Sequence, residues 1–267
     1  MDAMLLGPEL LGLLFVIAVA AGFIDSIAGG GGLLTVPALL AAGLSPAQAL
    51  ATNKLQGVGG AFSASLYFIR RGAVDLREQK LAVVCTFLGA ITGAWLIQQI
   101  HADFLRQLLP VLVIGIGLYF LLMPKISDED RQRRLSPVPF ALVGGACVGF
   151  YDGFFGPGAG SFYALSYLTL RGFNLAKSTA HAKVLNFTSN LGGLLFFILS
   201  GKVMWVIGGV MLLGQIIGAR LGAKMVLTKG QQLIRPMLVA VSALMSIKLI
   251  YDSHGQDIAR WVGQLFS

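Results

Sequence analysis

Charge, histidine and cysteine are all scarce in this sequence. Charged residues make up 12% of its 267 positions, too few to clothe a soluble domain of this size in a hydrated surface. The two cysteines, Cys85 and Cys147, sit inside apolar runs, where a thiol behaves as a small hydrophobe, so neither a disulfide framework nor a metal site follows from them. The three histidines include no pair at metal-ligand spacing. No phosphate loop ends in Lys-Ser or Lys-Thr, and "GAGS" at 158–161 lacks the strand-to-helix context of a nucleophile elbow. An enzyme is therefore not expected, nor a cofactor. No basic residue precedes the first apolar run and no small-residue cleavage pattern follows it in a polar setting, so that run is expected to remain as a span.

Apolar residues are abundant instead, at 56% of the chain, with a mean hydropathy of +0.78. Runs long enough to cross a bilayer recur at roughly 8–27, 46–69, 80–99, 104–123, 138–156, 178–200, 203–222 and 233–251. This predicts an all-α polytopic membrane protein, in contact with membrane lipid. The net charge is +8, and eight of the 20 lysines and arginines lie in two hydrophilic connections, "RRGAVDLREQK" at 70–80 and "KISDEDRQRR" at 125–134. That placement is the positive-inside bias of cytoplasmic loops and points away from a nucleic-acid partner.

The second half of the chain repeats the first. "GFIDSIAGGGG" from Gly22 matches "GFYDGFFGPGAG" from Gly149, with Asp25 on Asp152 and Gly29 on Gly156. After a two-residue insertion, "GLSPAQALATNK" from Gly43 matches "GFNLAKSTAHAK" from Gly172, with Lys54 on Lys183, and "GAITGA" at Gly89 falls on "GARLGA" at Gly218. The implied organisation is an N-terminal repeat over 1–123, a cytoplasmic linker over 124–137, a C-terminal repeat over 138–252 and a tail over 253–267.

Each repeat opens with an apolar run, an Asp, a glycine-rich break and a short apolar piece, "LLTVPALLAAG" or "SFYALSYLTLRG". About ten residues at ~1.5 Å each cover half of a ~30 Å hydrocarbon core, so each piece is expected to be a half-helix. Were the short pieces ignored, the repeats would lie parallel and put Lys224 and Lys229 outside. If each completes a crossing, the repeats are inverted and the basic loop at 223–231 joins the others in the cytoplasm. Positive-inside counting favours inversion, with both termini outside.

Gly29, Gly30, Gly31 and Gly32, with Gly156, Gly158 and Gly160 in the second copy, leave room for backbone N–H groups to line a concavity. The half-helix behind each break adds its unsatisfied N–H groups and positive dipole end, which suit an anion. The competing reading is close helix packing through small residues. Asp25 and Asp152 precede the breaks by one turn; they either carry a coupling proton or cap the broken backbone. Lys54 and Lys183 would balance an anion's charge, or snorkel toward headgroups. Thr179, Lys183, Asn186 and Asn190 form one helical stripe, and Asn53, Gln56, Gly60 and Ser63 occupy a comparable stretch. His181 is a candidate proton carrier, while Gln215 and Arg220 are polar residues of the seventh run, Arg220 near its end.

At these residues the chain resembles the TauE/SafE family of membrane proteins, named for sulfite and organosulfonate export. "GFIDSIAGGGGLLTVPALLAAGLSPAQALATNK" carries the first-repeat signature; "GFYDGFFGPGAGSFYAL" and "STAHAKVLNFTSNLGGL" carry the second. The resemblance implies a secondary transporter of small anions, often sulfur-containing, in the bacterial inner membrane. Export by alternating access is the leading expectation; uptake through the same site and a non-transporting membrane scaffold are the rivals. H⁺ and Na⁺ both stand as coupling ions, and glycine-lined grooves permit a homo-oligomer.

Overall fold

The structure, a computed structural model, describes residues 7–100 and 134–229. Among them are eight helical stretches. Helix α1 (Pro8–Ala28) starts with proline in its first turn, where a missing N–H costs nothing, and stops at Gly29, whose φ of 76° turns the chain out of the helix. Helix α2 (Gly31–Ala41) restarts at once. Helix α3 (Pro46–Arg70) opens on a capping box: Gln48 N–H donates to Ser45 Oγ and Ser45 N–H donates to Gln48 Oε1. A 3₁₀ turn, Arg77–Gln79, leads into α4 (Lys80–Ile97).

The second copy follows the same order. Helix α5 joins Pro137–Phe140, a π-helical stretch Ala141–Cys147, and Val148–Phe154. After a break at 155–158 comes α6, Ala159–Ser166 continued by a second π-helical stretch, Tyr167–Arg171. Helix α7 (Leu175–Leu199) is capped by Asn174, which accepts from Lys177 N–H at 2.9 Å, and α8 is Trp205–Lys229. At 11 residues α2 spans ~16 Å, half a bilayer core. Four of the described helical segments are long and apolar enough to cross a membrane: Pro8–Ala28, Arg77–Ile97, Leu175–Leu199 and Trp205–Thr228. Large apolar side chains such as Val16, Leu88, Leu199 and Leu213 point outward, the reverse of a soluble surface.

The four-glycine run is less open than its sequence predicts. Only Gly29 and Gly30 lie between helices; Gly31 and Gly32 form the first turn of α2, because Asp25 Oδ1 accepts the Gly31 N–H at 3.1 Å and so caps the new helix. The apolar runs at 104–123 and 233–251, residues 124–133 of the linker expected at 124–137, and the tail lie outside the described residues.

Glycines set which helices touch. On the α1–α8 contact, a Cβ on Gly218 would come within 1.9 Å of the Val19 carbonyl oxygen, and one on Gly222 within 2.4 Å of that of Phe23. On the α5–α4 contact the repeat-equivalent positions do the same: Gly89 against Ala146 at 2.3 Å and Gly93 against Phe150 at 2.1 Å. Residue numbers rise together in each pair, so α1 runs parallel to α8 and α5 parallel to α4. Helices α3 and α7 cross the other way, with Asn190 against Gly57 and the Lys54 stem against Gly193. Val74, Leu175 and Val226 share one apolar cluster, which gathers the end of α8, the start of α7 and the α3–α4 connection. Leu14, Leu44 and Ile207 share another, gathering the start of α8 with the end of α2.

Candidate functional site

The two glycine breaks meet. A Cβ on Gly29 would lie 2.1 Å from Ser161 N, and one on Gly160 would lie 2.7 Å from Gly29 Cα, so main chain rests on main chain where α1 turns into α2 and α6 begins. Only glycine fits such an approach, and Gly29 also needs its left-handed φ. The Ser161 hydroxyl donates across the junction to the Ala28 carbonyl. In the second break Gly156 and Gly158 have φ of 95° and 81°, and Tyr151 donates to the Pro157 carbonyl at 2.6 Å, fixing the loop before α6.

Beside this junction lies a small cavity with room for water centres over about 30 Å³. It is lined by Asp25, Gly29, Gly31, Gly32, Asn53, Asp152, Gly156, Gly158, Gly160, Asn186 and Asn190, all expected site residues, and by Gly57 and Gln215. Both half-helices begin at its wall, so the positive ends of two short dipoles point at one space.

Each lysine is paired with the aspartate of the other repeat. Lys183 Nζ donates to Asp25 Oδ2 at 2.8 Å, and Asn186 Nδ2 reaches the same oxygen at 3.4 Å. Lys54 Nζ donates to Asp152 Oδ1, and the Ser189 hydroxyl to Asp152 Oδ2. The pairs differ in burial: the Asp25 side chain is 17% exposed, that of Asp152 2%. Both carboxylates line the cavity while the lysines stand behind them, each ammonium 3.2 Å from where a Cβ on Gly156 or Gly160 would sit. Asn53 Oδ1 accepts from Thr35 Oγ1 at 2.6 Å and Gln56 Nε2 at 3.0 Å, so its amide nitrogen lies on the Gly32 side. Asn190 Nδ2 donates to the Asn186 carbonyl at 2.7 Å.

Gly30, Lys54, Lys183 and His181 are not on the cavity wall. His181 stands apart, its ring 4.9 Å from that of Phe173 and 5.4 Å from that of Tyr167. Its Nδ1 lies 2.9 Å from the Lys177 carbonyl, which only accepts, so Nδ1 carries the proton. The lining residues left out of the expected set are Gly57, hidden among the glycines of α3, and Gln215, whose signal was an amide within an apolar span. Arg220 is exposed on the outer face of α8.

The family described as "Sulfite exporter TauE/SafE" matches residues 14–249. The chain is 68% identical over 259 residues to the "Probable membrane transporter protein YfcA" of Escherichia coli (strain K12), covering 97% of this chain and 96% of the relative. It is 55% identical over 247 residues to a "Probable membrane transporter protein" of Haemophilus influenzae, covering 92% and 97%. A Bacillus subtilis relative, "Probable membrane transporter protein YunE", is 24% identical over 265 residues, covering 90% and 97%. No solved structure matches the chain.

Proposed function

This chain belongs to the TauE/SafE family of membrane transporters, and from that premise we propose that it exports small anions (sulfite, organosulfonates or related oxyanions) across the bacterial inner membrane by alternating access. The carrying observation is the cavity where both glycine breaks and both cross-repeat ion pairs converge. Its charge balance suits an anion. The two lysines and two aspartates cancel, while each half-helix start contributes roughly +0.5 of a charge. Together these amount to about one uncancelled positive charge, a match for a monovalent anion in a space with little competing water. Asp25 then supports the break by capping Gly31 and holds Lys183 until the anion takes its place beside that ammonium.

Inverted repeats are part of this reading. Helix α1 runs parallel to α8 and α5 parallel to α4, α3 and α7 are antiparallel, and α4 returns from α3 after a connection of residues 71–79. These directions support α5 running opposite to α1 and α7 opposite to α3. Charge supports the orientation: Arg70, Arg71, Arg77, Lys80, Arg171, Lys177 and Lys224 gather at one end, against Lys202 at the other, among the described residues. The basic end is the cytoplasmic one. Repeats that lock each other through exchanged ion pairs are suited to rocking about a fixed site.

Flux measured in proteoliposomes with a panel of sulfur oxyanions and sulfonates, with and without a proton gradient, tests the proposal. Saturable anion flux is expected, with weaker substrate binding in Lys183→Gln. Absence of flux for the whole panel in folded protein sinks it in favour of a scaffold.

A further inference from the structure

A second, smaller space lies at the far end of α6, partly open and walled by apolar and polar groups together. It is lined by Glu78 and Gln79 ahead of α4, Phe140 of α5, Tyr167 and Arg171 of α6, and His181 of α7. Arg171 is 8% exposed, with its guanidinium 5.5 Å from the Phe140 ring centre and 5.8 Å from that of Phe173. Glu78 approaches it at 3.8 Å, outside hydrogen-bond range, on a side chain 56% exposed. The Tyr167 hydroxyl donates to Gln79 Oε1 at 2.9 Å. That leaves Gln79 Nε2, on a residue 1% exposed, with no hydrogen-bond partner among the described residues. A buried amide donor without a partner is costly, so it needs a reason.

The repeat provides none. Aligning Gly43 with Gly172 puts Arg171 on Ala42, Tyr167 on Ala38, His181 on Thr52, Gln79 on Gly208 and Glu78 on Ile207. In the first copy that location is filled by hydrocarbon, Leu14, Leu39, Leu44 and Ile207 with Ala38 and Ala42 against them. Among the described residues the chamber exists at the basic end alone. Both π-helical stretches of the described residues border it: one follows Phe140, and the other runs from Tyr167 to Arg171. Such stretches forfeit regular helix geometry and occur mostly at functional positions.

We propose that this chamber is a second binding site for the same class of small oxyanion, on the cytoplasmic side only. Arg171 and Gln79 Nε2 are its donors, and Glu78 is a carboxylate that an incoming anion displaces. The inference rests on the anion-transport reading above. A planar guanidinium receives an oxyanion in the geometry it uses for a carboxylate. In the present arrangement the chamber admits water centres over about 10 Å³, one water's worth, so Glu78 must swing outward to admit an anion, and its exposure lets it do so. From Gly160 to Arg171 the α6 backbone covers ~16 Å, so the two sites are the ends of one half-helix and the anion moves along it. A collecting site at one mouth loads the transporter from that side, in keeping with export.

Equilibrium dialysis of the purified full chain in nanodiscs against radiolabelled sulfite tests the chamber. Two anions per chain are expected for the unaltered protein. Arg171→Gln should lose one of them, Gln79→Leu should weaken the same one at least fivefold, and Lys183→Gln should remove the other. The anion retained by Arg171→Gln reports that the variant is folded; if it does not fold, Gln79→Leu decides, and an unchanged affinity there overturns the proposal. A single anion per chain in the unaltered protein, or two that survive Arg171→Gln, also overturns the chamber while leaving the midplane site standing. No bound sulfite at all overturns both.

Discussion

At the scale of single residues, the two ion pairs dominate. Lys54 and Asp152 are each only 2% exposed at the side chain, so their charges have left water and depend on one another. Removing one partner of such a pair costs roughly 3–5 kcal/mol, whereas replacing both by apolar groups is often nearly neutral. Lys54→Met is therefore expected to destabilise the protein by about 3–5 kcal/mol and Lys54→Met/Asp152→Leu to recover most of it. Reversible unfolding in micelles measures both, and a double variant no better than the single one would show that the pair is not the coupled unit. Gly29→Ala faces two penalties, a left-handed φ of 76° and a Cβ 2.1 Å from Ser161 N. The backbone strain alone is worth about 1–3 kcal/mol, and the junction must part as well, so loss of the folded species is expected in size-exclusion profiles. The acids, lysines and glycines of the site were legible from their repetition in the sequence. Their pairing was not, because a chain with one acid and one base per copy permits partners within a copy as readily as between copies, and distance in space decides.

At the scale of elements, contacts are written in glycine. Gly218, which repeats Gly89, and Gly209 lie in one span; a Cβ on Gly218 would meet the Val19 carbonyl at 1.9 Å, whereas one on Gly209 meets nothing within 4 Å. Gly218→Leu should force α8 off α1 and abolish monodisperse protein. Gly209→Leu should leave stability within about 0.5 kcal/mol, as for a surface change; a thermal melt comparing the two separates a packing face from a lipid face. Among the described residues the long helices matched the apolar runs to within three residues, because length and hydropathy fix a span, except that α8 continues seven residues past the end of its run. Two features resisted reading: the immediate restart of α2 at Gly31, where Asp25 caps the new helix, and the π-helical stretches in α5 and α6, which leave no mark on hydrophobic periodicity.

At the scale of the whole molecule, the proposed export makes demands on topology and charge that can be tested. If the repeats are inverted, the connection at 71–79 and the start of α7 share one side of the membrane while the starts of α3 and α8 share the other. In a background with Cys85 and Cys147 replaced by alanine, Asp75→Cys should react with an impermeant maleimide only from the cytoplasm. Ser45→Cys and Lys202→Cys should react only from outside, and any one of the three labelling from the opposite face refutes the arrangement. The driving force is the further consequence. The groups facing Asp25 are Lys183 on α7, and across the cavity Asp152 on α5 with Lys54 on α3 behind it; α8 offers Gln215 and the half-helices offer main chain. Their formal charges sum to zero, so under the proposed binding through half-helix ends an anion would be carried with its own charge and would need no proton to neutralise it. An inside-negative potential then pushes it outward with ~2.3 kcal/mol per charge for each 100 mV, about a fiftyfold gradient for a singly charged anion. Efflux of a monovalent sulfonate from proteoliposomes should accelerate when valinomycin and a potassium gradient make the interior negative, and should ignore a pH gradient of equal size imposed at zero potential. The opposite dependence would mean that Asp25 takes up a proton as the anion arrives, making transport electroneutral and removing the membrane potential as the source of export.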